Sequence, residues 1–478
     1  MIEIFYQKNN NKELFSKCND LVKLFDIQNY VPIYNKFFSL TETNFNTINL
    51  NHKDSITNIN EKISDNIYNI VLNNSEKKDS FFKFSPLVDP VKYMIGKYEK
   101  NNLNVMPEKV SNPKNIHEKL LDENNSSYVD SFFSYLSSKL LEKYNFEHSI
   151  NFYGSFLGIK NDYLFNIADD LEYLVDSKFF HEHKNELFEI TQNIDHIFEE
   201  NTRKYREKLK INNEECDKLS LCDIEEFNSI FVEKDVNPNN ESSDFIQDTN
   251  NKNTEVDYSL VFENLNNSRS SFNNTDSEGS CSSRSSNTSG SECCSLTNGE
   301  EESQESEIES CSSSEYSDMS IDEYIGAKIN KFPVQMICLE KMENTLDNYF
   351  ENNDISNEEW KSILFQIIVT LYVYQKTFDF THNDLHTNNI MYNTTPKKYL
   401  NYHINGKYYK VPTFGKIYKI IDFGRSIYKF KEKIICSDSY HPSGDAATQY
   451  NCEPYFNDKK PRLEPNKSFD LCRLGCSL

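Results

Sequence analysis

With 478 residues, 13% of them aromatic and 26% charged, the chain is long enough for about two or three average domains. No run of about 18 apolar residues suits a membrane span, and Met1-Ile2-Glu3-Ile4-Phe5 lacks the basic flank and apolar stretch of a signal peptide, so the expected location is intracellular. A formal charge of −24 counts against a nucleic-acid-binding surface, but nineteen acidic residues against three basic ones (Lys252, Arg269, Arg284) put −16 of it between residues 241 and 323. Of the twelve cysteines, Cys281, Cys293, Cys294 and Cys311 lie in a serine-rich tract and the others form no C-x-x-C pair, which indicates neither a zinc site nor a disulfide framework.

Along the chain, Asp79-Ser80-Phe81-Phe82-Lys83-Phe84 reads as a short strand bounded by Pro86 and Pro90. Phe132, Phe133, Leu136, Leu140 and Leu141 recur at helical spacing and predict an amphipathic helix over 127–144. Residues 150–159 read as a strand or hairpin, and 171–210 as helix. From about Asn237 to Met319 the chain is Ser, Asn, Glu and Asp with few large apolar residues, too little to offset chain entropy by burial, so a disordered insertion is expected. Its runs Ser303-Gln304-Glu305-Ser306-Glu307 and Ser312-Ser313-Ser314-Glu315 offer serines followed by acids, as acid-directed kinases prefer. A solvated spacer accounts for them equally well.

After the insertion, 334–339 is a strand of the buried type, followed by Glu340-Lys341-Met342. Ser356 and Glu359 form a capping box, and Trp360, Ile363, Leu364, Ile367, Ile368 and Leu371 mark one face of a long helix that should end near Phe378. Asn405-Gly406 between 399–402 and 407–411 is a hairpin signal, and 417–421 is a strand that runs into Asp422.

Two short patterns carry chemistry. Moving a phosphoryl group from ATP needs Mg²⁺ on hard oxygen ligands and a carboxylate that orients the accepting hydroxyl. His382, Asp384, Leu385 and Asn389 fit H-x-D-L-x-x-x-N, which supplies the carboxylate and one metal ligand from a single loop; Asp422-Phe423-Gly424 supplies the other ligand. A bare H-x-D-x-x-x-x-N is weak evidence. Here it follows a capped helix and precedes the strand-like Ile390-Met391-Tyr392, and Asp422 ends a second strand, which argues against a polar turn beside an unrelated strand end.

On these motifs the chain resembles the eukaryotic-type protein-kinase superfamily. Asp470-Leu471-Cys472-Arg473-Leu474-Gly475 looks like the start of the helix whose aspartate braces the catalytic loop in that family. By the same resemblance, residues 339–342 look like the hinge, so that Glu340 and Met342 would bind adenine through backbone groups, and Lys83 looks like the lysine that pairs with the α- and β-phosphates. Asp384-Leu385-His386, the hairpin before Asp422 and 420–426 resemble, more narrowly, haspin-like serine/threonine kinases of giant DNA viruses, which would locate the protein in host cytoplasm or virion.

The resemblance implies an α+β, bilobal fold with a β-rich small lobe and a helical large lobe. It divides the chain into an N-terminal extension with room for the first small-lobe strands (1–74), the small lobe with a helical insertion (75–236), the acidic insertion (237–325), the last small-lobe strands and hinge (326–350), and part of the large lobe (351–478). Because the family's large lobe runs several helices past the one starting near Ser468, the chain reads as a C-terminally truncated fragment. The implied ligands are ATP, Mg²⁺ and a protein substrate, with Asp384, Lys83, Asn389 and Asp422 catalytic and Asn389 and Asp422 on the metal.

Several positions depart from the pattern. There is no G-x-G-x-x-G, and no glycine precedes Gly96. Asn383 replaces the arginine that would receive an activation-loop phosphate, which implies activity not gated by that phosphorylation. His386 stands where most members carry a lysine, and either a phosphate donor or a packed, capping histidine fits. Lys83 reads alternatively as a surface lysine on an edge strand, and Asp130, the best-placed helix acid to pair with it, alternatively as a solvent-facing residue. Two other functions compete: a small-molecule kinase of the choline or aminoglycoside type, whose catalytic loop is similar to 382–390, and a pseudokinase scaffold.

Overall fold

The computed structural model describes residues 2–8, 10–99, 103, 105–107, 116–191 and 325–478. The expected disordered insertion, apart from Ile325, lies outside the described residues, as does 192–210 of the expected helix.

An antiparallel sheet organises the first part of the chain. Its strands run in the order Leu24–Gln28, Phe152–Asn166, Gly326–Glu340, Lys77–Pro86, Ile67–Leu72, Ile56–Lys62, and Phe188–Ile190 also pairs with Gly326–Glu340. The Lys83 strand is therefore interior, flanked on both sides, with Lys83 opposite Ile337. Val334 to Leu339 are all buried, as expected for a strand covered on both faces. From Phe152 on, residues 150–159 belong to one long strand and not to a hairpin, because they pair with Gly326–Glu340, with one register shift between Phe152 and Gly154. Gly158 permits the close approach of the edge strand: a Cβ there would lie 2.8 Å from the Phe25 carbonyl oxygen.

The Ser126–Tyr144 helix packs on this sheet, capped by Asn125, whose side chain accepts from the Ser127 N–H, and closed by Asn145 at φ +53°. Thirteen of its nineteen residues are buried, so it is enclosed on nearly every side and not amphipathic. Small serines make that possible: Ser127, Ser131, Ser134, Ser137 and Ser138 are buried, and the Ser137 hydroxyl meets the Tyr374 hydroxyl at 2.7 Å.

The helix expected over 171–210 is broken within its described part. Leu171–Val175 and Lys178–His183 are short helices, the second capped by Ser177, and the chain turns at Asn185 (φ +72°) into Phe188–Ile190. Pairing of Phe188–Ile190 with Gly326–Glu340, and stacking of buried Phe188 on Phe180, override local helix preference.

After the sheet, Ser356 caps the helix Asn357–Phe378 by accepting from the Glu359 N–H. The Glu359 side chain does not complete the box; it binds Lys416 and the Tyr349 hydroxyl. Beside this helix lie a three-stranded sheet of Asn344–Thr345, Ile390–Thr394 and Lys416–Ile420 and the hairpin Tyr399–Ile404/Lys407–Pro412. Asn405 (φ +51°) and Gly406 (φ +77°) make the hairpin's two-residue turn, which needs both left-handed positions. One hydrophobic core joins both parts, with Phe133 of the enclosed helix stacked on Phe380 at 4.4 Å. The architecture is mixed α/β.

Candidate active site

The interior strand delivers Lys83 to two acids. Its Nζ lies 2.8 Å from Asp130 Oδ2 and 2.9 Å from Asp422 Oδ1, with 11% of its side chain exposed. Asp130 comes from the enclosed helix, and its other oxygen accepts from the Phe423 N–H at 2.9 Å. Neither residue is a surface group. Burial alone would disfavour the ammonium, but the two carboxylates outweigh it and raise the Lys83 pKa. Burial likewise raises Asp130, despite Lys83 beside it. At Asp422 the same burial is overcome by Lys83, His382 and the Gly424 N–H, so its carboxyl lies below the usual range and stays ionised.

The 382–389 loop is held from below by Asp470, the second residue of the helix Phe469–Ser477. Its two oxygens accept from the backbone N–H groups of His382 and Asn383, both at 2.8 Å, and Asp470 is fully buried. Asn383 takes φ +68°, a left-handed conformation that asparagine adopts more readily than most residues. The His382 ring spans the Ile421 carbonyl (2.9 Å) and the Asp384 N–H (3.3 Å). Asn389 Nδ2 donates to the Asp384 carbonyl at 2.9 Å, which turns Oδ1 the other way. Asp422 sits at φ +60°, strain of the kind that concentrates at functional sites. Phe423 packs against Phe133 at 4.6 Å and lies 5.8 Å from the His382 ring, an aromatic column that couples the enclosed helix to the loop.

Glu340 and Met342 stand at the end of Gly326–Glu340 and just beyond it. The Glu340 carboxylate is turned into the protein, where Oε1 accepts from Lys419 Nζ (2.5 Å) and the Asn151 N–H (2.9 Å). Its own N–H donates to the Asn151 carbonyl at 3.0 Å. Where a glycine loop is missing, Ile63-Ser64-Asp65-Asn66 links Ile56–Lys62 to Ile67–Leu72; the N–H groups of Ile63 and Ser64 both donate to the Ile67 carbonyl.

Among the described residues no group of three His, Cys, Asp or Glu side chains could hold a metal unaided. The fit to Mg²⁺ is of another kind: one ionised carboxylate and an amide oxygen, with phosphate oxygens to complete the shell. Asp422 is buried and ionised, two acids share one lysine, and Asn389 has its nitrogen engaged and its oxygen directed elsewhere.

Comparison with known proteins adds one likeness. No family model matches the chain. Over 62 residues it is 42% identical to a probable serine/threonine-protein kinase of Dictyostelium discoideum, a match that covers 12% of this chain and 5% of that protein. The likeness is kinase-like. The chain thus spans about one-twentieth of the length of that relative.

Sequence reading missed two arginines at Asp384: Arg473 Nη2 lies 3.3 Å and Arg425 Nη1 3.7 Å from its Oδ1. Their positions carried a signal. Arg425 directly follows Gly424, and Arg473 is three residues past Asp470, hence on the same face of its helix.

Proposed function

We propose that the protein is a Mg-ATP-dependent serine/threonine protein kinase with a bilobal fold, the antiparallel sheet and enclosed helix forming the small lobe and 351–478 part of the large one. The observation that carries this reading is Lys83 bridging Asp130 and Asp422 beside a loop that presents Asp384 and Asn389. Lys83 binds the α- and β-phosphates, and Asp130 fixes its direction. Backbone groups at Glu340 and Met342 receive adenine, since the Glu340 side chain is committed to Lys419. Mg²⁺, when bound by Asn389 Oδ1 and the Asp422 carboxylate, supplies charge neutralisation for the phosphate oxygens.

Asp384 orients the acceptor hydroxyl and takes its proton as the oxygen attacks. The His382 and Asp470 contacts fix the backbone that carries that carboxylate, so its position is not lost to reorganisation of the loop. The 62-residue likeness to a probable serine/threonine-protein kinase favours a protein acceptor, and the haspin-like reading rests on Asp384-Leu385-His386 and the hairpin before Asp422. Incubation of the full chain with γ-labelled ATP against a panel of proteins, choline and aminoglycosides tests it. Label on protein serine or threonine is expected; label on choline or an aminoglycoside alone would assign a small-molecule kinase, and no label on any acceptor would leave a scaffold.

A further inference from the structure

Phosphoryl transfer needs positive charge on the acceptor side as well as on the nucleotide side, because the three equatorial oxygens of the moving group carry the charge between the two. Lys83 does not supply it, because its place between Asp130 and Asp422 sets it on the nucleotide side. His386, two residues past Asp384, is turned to another partner. Its Nε2 lies 3.1 Å from Asn389 Nδ2, so the ring is engaged within the loop. Arg425 is charged but pinned, with 12% of its side chain exposed and Nη2 bound to Asp445 Oδ2 at 2.5 Å.

Arg473 differs from all three. It is 45% exposed, and among the described residues its ionic contact is a 3.3 Å approach of Nη2 to Asp384 Oδ1, which leaves most of its five donors for a ligand. Its position is pre-set, because Asp470, one turn earlier on the same helix, is bonded to the backbone of the loop that carries Asp384. We propose that Arg473 is a catalytic residue whose guanidinium bridges the Asp384 carboxylate and the transferring phosphoryl group. The inference rests on the kinase reading. In the step, the acceptor oxygen forms its bond to the γ-phosphorus and the bond from that phosphorus to the β,γ-bridging oxygen breaks. The electron pair leaves on the β-phosphate, the acceptor proton passes to Asp384, and Arg473 is unchanged.

The test uses the full chain, Mg-ATP and casein as acceptor, comparing R473M with H386K/R473M, which moves the cation to a residue two positions past Asp384. R473M is expected to lower kcat about 100-fold while the KM for ATP stays within about threefold, and the double variant to recover at least about tenfold of kcat. R473Q takes the place of R473M should circular dichroism show the methionine variant unfolded. Unchanged kcat in R473M, or no recovery in a folded H386K/R473M, overturns the role of Arg473 while leaving the kinase reading intact. A parent protein that phosphorylates nothing overturns that reading, and Arg473 with it.

Discussion

The 382–389 loop and the segment that follows Gly424 are anchored differently, the loop on one buried carboxylate and the segment at several separate points. The loop is fixed through its backbone, by the buried Asp470 carboxylate below and the His382 ring across it. Residues 425–463 are held at several points, by backbone bonds to Thr381 and Asn124 and by side chains: Asp438 accepts from the Ser126 N–H (2.9 Å) and pairs with Lys119 (3.3 Å), Arg425 pairs with Asp445, and the Tyr450 hydroxyl donates to Asn383 Oδ1 (2.8 Å). Apolar support there includes a small cluster of Ile427, Cys436 and Tyr440. Where the loop hangs on one buried carboxylate, the segment has several separate anchors, with Tyr428, Phe430 and Ile435 in the main core among them, so the two should fail under different perturbations.

The sharpest way to break that contrast is at Asp470. D470A strands two buried N–H groups and is expected to cost about 4 kcal/mol and all phosphate transfer, with D470N near half that loss of stability, read by urea unfolding. Equal stability of parent and D470A would mean that the loop does not depend on its brace. D438A comes next. It leaves the Ser126 N–H and Lys119 without their partner at a 7%-exposed carboxylate, and should cost about 2 kcal/mol and loosen 425–463 to limited proteolysis while 382–389 stays protected. Simultaneous cleavage in both regions would erase the distinction.

The smallest effect is expected at Asp379, where Lys429 and Lys467 hold the carboxyl below its usual range. A depressed folded-state pKa contributes stability that is present above the unfolded value, about 3.9, and lost as pH falls through the folded one. D379N keeps the left-handed cap at φ +50°, so it should lose at most about 0.5 kcal/mol at pH 7, the pair being partly exposed and screened. The difference from the parent should shrink as pH falls below the unfolded value and vanish once the folded-state carboxyl is protonated. A deficit that persists there would point to the cap and not to the charges.

Much of the candidate site was legible because its chemistry requires fixed residue types at fixed spacing. Asp384, Asn389 and Asp422 could be named from two short patterns, and Lys83, Asp130 and Asp470 through the family resemblance those patterns carry; the structure brings these residues together, and their catalytic roles are the proposal. Ser356 and Asn405-Gly406 were legible for a local reason, since a cap and a two-residue turn depend on their own side chains and φ angles. What escaped depends on long-range packing. Nothing within 171–191 announces that Phe188 will pair with a strand more than a hundred residues away. The serines of Ser126–Tyr144 read as a solvent face until Tyr374 is seen against Ser137. Arg425 and Arg473 meet at Asp384 from separate elements, so no spacing rule relates one to the other.

The central claim is that Asp384 acts on a phosphoryl acceptor within a centre assembled by Lys83, Asn389 and Asp422. Its most direct test is the rate of γ-phosphate transfer to protein serine or threonine by the full chain and by D384N, at matched folded fraction. The account predicts transfer by the parent and a loss of at least about 1,000-fold in D384N, with ATP affinity within about threefold. Equal rates in the two proteins would contradict it.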